Sequence, residues 1–260
     1  MSDPLRVELA EITRIVLDRP DKHNAMTPEM GRAMQDAVRR INAEPSVRVV
    51  LVSGEGRAFC AGGDFSLIEQ SAGKPPDENQ REMPVFYSSF LSVVRLRVPS
   101  IAVVHGAAVG AGLGLALACD IRLAAKEAKL GANFVRVGLH PGMGCSLFLP
   151  RLVGPARAAE LILTGKLVSG EEAERIGLVS AAVPRAELPA LVDETAAAIV
   201  AAAPVAVAQA KETLVAPLLS ALDPALEREA ACQAVGFATE DLREAVAAFR
   251  AGRPPVFRGH

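Results

Sequence analysis

Apolar and polar residues alternate over positions 6–9 and 12–17, the period of strands with one solvated face. Arg19-Pro20-Asp21-Lys22 breaks the run. Beyond it, Met30, Met34, Ala37, Val38 and Ile41 recur at helical spacing. Thr27 offers an N-cap there, Pro28 takes the first helical position, and Glu29 lies near the positive helix end. The apolar run 47–52, interrupted only by Arg48, predicts a mostly buried strand. Residues 58–63 read as a second extended piece, and Asp64 as the cap of a short helix through Gln70. Residues 71–84 hold three prolines among polar side chains and predict a surface loop, with a lid as its candidate role. A helix over 85–96 follows, then a buried strand over 101–104, a turn over 106–110, a helix over 111–118 and a strand over 121–125. After Gly142-Met143-Gly144 come a helix carrying Leu147 and Leu149 and another over 155–163. Ser169-Gly170-Glu171-Glu172 reads as a capping box before 173–176, and 178–183 as a strand. From Leu188 the strands stop, and 188–202, 204–215 and 224–250 read as alanine-rich helices. The pattern is an α/β core over 1–187 followed by a helical region over 188–260, which has too little core of its own and needs something larger to pack on.

Composition narrows the function. With 28 basic against 30 acidic residues and 4% aromatics, the chain has neither the charge nor the stacking rings of a nucleic-acid binder. Cys60, Cys119, Cys145 and Cys232 form no CxxC pair and no metal spacing, so they read as reduced thiols of a cytoplasmic protein. The start of the chain has no apolar signal-peptide region. Residues 101–119 are long and apolar enough to imitate a membrane span. They contain His105 and four glycines and end at Asp120, so a strand, a turn and a helix explain them better. The glycines at 110, 112 and 114 do not make a GxGxxG fingerprint, and there is no P-loop, GxSxG elbow or HExxH pair. No metal or separate cofactor is expected.

Two glycine-rich turns carry the candidate chemistry. Ala58-Phe59-Cys60-Ala61-Gly62-Gly63-Asp64 ends at a helix start, and His105-Gly106-Ala107-Ala108-Val109-Gly110-Ala111-Gly112 joins a buried strand to a helix. Amides from two such turns, converging on one carbonyl oxygen, form the geometry that stabilises an enolate or tetrahedral oxyanion. Together with Arg19-Pro20, Asn24-Ala25-Met26, Lys129-Leu130-Gly131, Pro141-Gly142-Met143-Gly144, Leu163-Thr164-Gly165 and residues 173–179, these segments resemble the crotonase, or enoyl-CoA hydratase/isomerase, superfamily along nearly the whole chain. The resemblance implies a spiral of repeated ββα units, a C-terminal helical region that builds homotrimers or hexamers, and a coenzyme A thioester as ligand. It places the oxyanion-hole amides at Gly63 and Ala111. It lines the substrate site with Lys22, His23, Ala25, Ala61, Gly62, Asp64, Gly110, Leu113, Gly114 and Phe134. It puts Phe249 and Phe257 in a tail that closes over the nucleotide.

The chain departs from the family at the acid–base positions. Family hydratases carry two glutamates, and here those places hold Gly114 and Phe134. Phe134 and Leu113 would also make the acyl pocket drier. His140, one place before Pro141, is the remaining candidate proton carrier. Asp64 reads more readily as a helix cap and Cys60 and Cys145 as buried thiols, while Glu69, on the short helix near the pocket mouth, could equally face solvent. Two functions stay open: an enzyme that stabilises a thioester enolate without ordinary hydration, and a non-catalytic acyl-CoA-binding protein.

Overall fold

The computed structural model describes residues 3–260. The core begins with β1 (Leu5–Glu8) and β2 (Ile12–Leu17), paired antiparallel. Helix α1 (Pro28–Ala43) then leads to β3 (Val49–Gly54), which runs parallel to β2 from Ile12 beside Val49 to Leu17 beside Gly54. Helices α2 (Phe65–Ala72) and α3 (Pro76–Leu91) precede β4 (Ser100–Val104). The short β5 (Ala108–Val109), α4 (Ala111–Ala118), β6 (Ile121–Ala125) and β7 (Lys129–Gly131) follow. Then come α5 (Cys145–Thr164), β8 (Val168–Ser169), α6 (Gly170–Arg175) and β9 (Ala181–Val183). Three helices end the chain: α7 (Leu188–Ala201), α8 (Pro204–Phe237) and α9 (Glu240–Arg250).

The main sheet has the order β1-β2-β3-β4-β6-β9, parallel throughout except at β1. Each strand from β2 onward is one step of a spiral, with helices supplying the crossovers a parallel sheet requires. A second sheet, β5-β7-β8, is built from the pieces between the main strands. Burial explains the first sheet's composition: Val49, Val50, Leu51 and Val52 are all buried, as a strand covered on both faces demands. The mixed α/β spiral with a helical C-terminal part is the fold the resemblance implied.

Thr27 caps α1 as the pattern predicts, its hydroxyl accepting from the Met30 amide at 3.3 Å. Thr27→Ala is expected to cost about 1 kcal/mol, read as a lower denaturant midpoint at an unchanged slope.

Three sequence expectations need correction. The loop expected over 71–84 is mostly helix. Pro76 sits at the first helical turn, where a missing amide costs nothing, and Asp77 and Glu78 favour the positive helix end. Pro84 lies inside α3, but burial of Tyr87 and Phe90 outweighs its lost hydrogen bond. The helices expected over 204–215 and 224–250 are instead one 34-residue α8 that runs through Pro217 and Pro224, then a break at Ala238 before α9. Thr239 makes that break by capping α9, accepting from the Leu242 amide. The box at Ser169 is only half formed: its hydroxyl takes the Glu172 amide, while the Glu172 carboxylate pairs with Arg175.

The apolar stretch 101–119 is a strand, a turn and a helix inside the core, as its glycines predicted. Helix α8 is long and apolar enough by itself to cross a bilayer, with mean hydropathy 1.3 over a window only 11% buried. Its inner face is nevertheless tied to the core. Buried Lys211 donates to the Val98 carbonyl and the Asp120 carboxylate, both at 2.8 Å, and Asp120 also accepts from the Ser100 amide and hydroxyl. Asp120, just beyond α4, is thus tied into the structure.

Candidate functional site

Asn24 builds the first turn. It is fully buried in a left-handed conformation (φ 57°), and its amide group donates to the carbonyls of Glu55, Ala58 and Phe59 while its oxygen accepts from the Arg19 amide. Asn and Asp tolerate this backbone better than other residues with side chains, which fits the residue found. One side chain therefore fastens residues 19–25 to the strand end at 55–59. Lys22 and His23 are exposed on the outside of this turn and Ala25 is half-buried, and the Ala61 amide donates to the His23 carbonyl.

The second turn presses against the first. The Cys60 amide donates to the Ala107 carbonyl, and the Val109 amide to the Cys60 carbonyl. A Cβ on Gly112 would lie 2.2 Å from the Cys60 carbonyl oxygen, so only glycine permits this approach. Gly62 (φ 100°) completes the contact: a Cβ there would stand 2.9 Å from the Val109 carbonyl oxygen and 3.5 Å from the Ala111 nitrogen. Space opens beside Gly63, where a Cβ would meet nothing within 4 Å.

Neither the Gly63 amide nor the Ala111 amide donates to any described residue. Ala111 opens α4 without a side-chain cap, and it is 6% exposed. Ala111 opens α4, where the leading amides have no partner within the helix, and Gly63 is half-buried, so both amides are free to meet an external acceptor.

Asp64 proves to be a cap. Its carboxylate accepts from the Ser66 amide and hydroxyl and pairs with Arg19 at 3.1 Å. Burial works to raise this carboxyl, but the Ser66 donors and Arg19 outweigh it and hold it below the usual range. Glu69 is engaged as well, in an ion pair with Arg250 of α9 at 2.5 Å. Phe65 and Phe249 stack beside it with centroids 4.1 Å apart, so α9 lies against the helix that begins at the first turn. Phe257 stands half-exposed in the tail beyond. Burial pushes the Cys60 thiol up to about 12 and the Cys145 thiol well above its ordinary value, as befits thiols packed in the core.

The face of α4 that carries Gly110 and Gly114 is covered. The Phe134 ring lies over Gly110, 3.9 Å from where a Cβ would stand, and Phe134 is only 9% exposed. Met143 covers Gly114: a Cβ at 114 would fall 2.4 Å from the Met143 Cβ and 2.7 Å from its carbonyl oxygen. Leu113 is buried on the same helix. Apolar side chains thus cover this face of α4, and Met143 was not foreseen among them.

His140 lies partly buried within the loop before α5. Its Nδ1 is 2.6 Å from the Pro141 carbonyl oxygen, a contact in which Nδ1 donates. Helix α8 holds this loop from behind. Gln233 donates to the His140 carbonyl at 2.7 Å and accepts from the Tyr87 hydroxyl at 2.6 Å. Fully buried Glu229 accepts from the Gly144 amide and from the Ser146 amide and hydroxyl. Burial pushes the Glu229 carboxyl up, while those three donors pull the other way. Sequence reasoning did not find Glu229, Gln233 or Tyr87.

The sequence profile of the enoyl-CoA hydratase/isomerase family matches residues 8–260. The chain belongs to that family. A putative enoyl-CoA hydratase of Thermus thermophilus is 35% identical over 257 residues, covering 97% of this chain and all of that one. A probable enoyl-CoA hydratase of Mycobacterium tuberculosis, EchA14, is 40% identical over 177 residues, 68% of each chain. Among solved structures, an enoyl-CoA hydratase from Mycobacterium avium subsp. paratuberculosis superposes with a TM-score of 0.87 at 32% identity, covering 98% of both chains. Pseudomonas aeruginosa OdaA superposes with a TM-score of 0.84 at 34% identity, covering 95% of this chain and 99% of that one. Family membership thus spans the spiral and the C-terminal helices alike.

Proposed function

We propose that this enoyl-CoA hydratase/isomerase family member binds an acyl-CoA thioester and polarises its carbonyl with the Gly63 and Ala111 amides, stabilising an enolate without ordinary hydration. The observation that carries the reading is the pair of unpaired amides on abutting turns. Each such donor is worth ~10²–10³-fold in rate when aimed at developing negative charge. Lys22, His23, Ala25, Ala61 and Gly62 supply the coenzyme A side of the site, and Gly110, Leu113, Gly114 and Phe134 the acyl side. Coenzyme A enters as part of the substrate, and the chemistry asks for no further cofactor. His140 Nε2 is the candidate proton carrier. The scattered thiols support a cytoplasmic setting.

A saturated acyl-CoA is expected to bind with its thioester carbonyl stretch at lower frequency than free in solution. Gly63→Pro removes one donor and should shrink the shift. An unchanged frequency on binding would overturn the oxyanion assignment. A second reading, binding without turnover, is favoured by the fill at Gly114 and Phe134, and a panel of thioesters screened for both binding and product separates the two.

Assembly belongs to the same proposal. Leu214 and Val235 stand 79% and 66% exposed on α8. An exposed apolar face of that kind calls for a partner, and further copies of this chain supply one. Sedimentation is expected to give a homotrimer or hexamer, and a truncation before Leu188 to be insoluble. A well-behaved monomer, or a protein recovered only with membranes, would refute this.

A further inference from the structure

Met143 is a non-glycine residue in the left-handed region (φ 59°), followed by Gly144 at φ 72°. A methionine does not choose this backbone; the surroundings must impose it. They do so from α8. The Glu229 carboxylate takes the Gly144 amide at 2.7 Å on one oxygen, and the Ser146 amide at 2.9 Å and hydroxyl at 2.6 Å on the other. One turn along α8, Gln233 holds the His140 carbonyl. The segment 140–146 is thus gripped on both sides of Met143 by one helix. The grip drives Met143 onto Gly114, one helical turn beyond the unpaired Ala111 amide.

We propose that Glu229 is a positioning residue that holds Met143 against α4 and thereby limits the length of acyl chain the site takes. The inference rests on the functional reading above, in which the acyl chain leaves the Ala111 amide along this face of α4. Glu229 does not touch the ligand. It acts through the Gly144 and Ser146 amides, and the wall it holds is the backbone and Cβ of Met143. A carboxylate suits the task because both oxygens accept, and they face the start of the helical segment that runs from Cys145 to the kink at Gly154, whose positive end favours the charge. A carboxamide keeps the shape but turns two hydrogens toward donors.

The test compares the affinities of butyryl-CoA and dodecanoyl-CoA in the full-length protein. Glu229→Gln is expected to shift their ratio toward the longer chain by about fivefold or more, the lower end of coupling between sites. Val38→Ala, on the buried face of α1, should lower the melting temperature and leave the ratio unchanged. If Glu229→Gln lowers the melting temperature but keeps the wild-type ratio, the positioning role is overturned and Glu229 is only structural. Should Glu229→Gln not fold, Ser146→Ala removes the hydroxyl donor alone and should shift the ratio in the same direction. An unchanged ratio there also overturns the proposal. Failure of the wild type to bind either thioester is a different result, which rejects the functional reading and this inference with it.

Discussion

Crotonyl-CoA is expected to be hydrated by the native chain at no more than a background rate, and Phe134→Glu to raise that rate by at least ~10²-fold, the lower end of what one acid–base group contributes. Hydration needs a group that activates water and a group that protonates carbon. The carboxylates at and just after the first turn are already committed, Asp64 to Ser66 and Arg19 and Glu69 to Arg250, and Glu229 is held by Gly144 and Ser146. The Phe134 ring sits over Gly110, at the mouth of the turn that bears the Ala111 amide. A glutamate there would face the proposed thioester, at a cost of about 3 kcal/mol for the lost packed ring. Spectrophotometric loss of the conjugated enoyl absorbance reads both rates. His140→Ala separates the remaining possibilities. It should abolish any native turnover found in a thioester panel if Nε2 carries the proton, and leave it intact if it does not. Efficient hydration by the native chain, insensitive to His140→Ala, would place the acid and base elsewhere.

Gly114→Glu should give a protein destabilised by at least ~3 kcal/mol, through overpacking and an unpaired buried carboxylate. This is the other position at which family hydratases carry a glutamate, and restoring both together looks straightforward from sequence. The structure argues otherwise. The first side-chain carbon would already overlap the Met143 Cβ, and the Met143 carbonyl oxygen lies only 2.7 Å away. A flexible side chain moves aside readily, but this neighbour is backbone in a segment that α8 grips on both sides. A total stability of ~5–15 kcal/mol leaves little margin for such a loss. Urea denaturation of Gly114→Glu against Gly114→Ala measures it, and a wild-type midpoint for either would show that the 140–146 segment yields easily. Met143→Gly in the same chain should recover part of the loss, since it clears the Cβ overlap but not the carbonyl.

These contrasts show what the sequence made legible. The bounds of β2, α4 and β6 follow from periodicity and glycine punctuation, because each is decided by its own residues. The two glycine turns were also readable, since close backbone approach leaves a local mark. Helix α3 and the unbroken α8 were not. Proline is a strong local signal, and at Pro84, Pro217 and Pro224 it was overruled by packing that no short window contains. The grip on Met143 was hidden for the same reason. Glu229 lies 85 residues from Gly144 in the chain, and nothing in its own neighbourhood sets it apart from any other glutamate on a long helix.

The contact between Tyr87 and Gln233 has a practical consequence. The chain contains one tyrosine and no tryptophan, so its ultraviolet emission comes from a single ring at the back of the His140–Gly144 segment. That ring is buried, and its hydroxyl is bound to the residue that holds the His140 carbonyl. The unlabelled protein therefore carries its own optical reporter at the part of the molecule that most needs watching. Emission excited at the red edge of tyrosine absorption, away from adenine, would follow that segment during a titration with no probe attached.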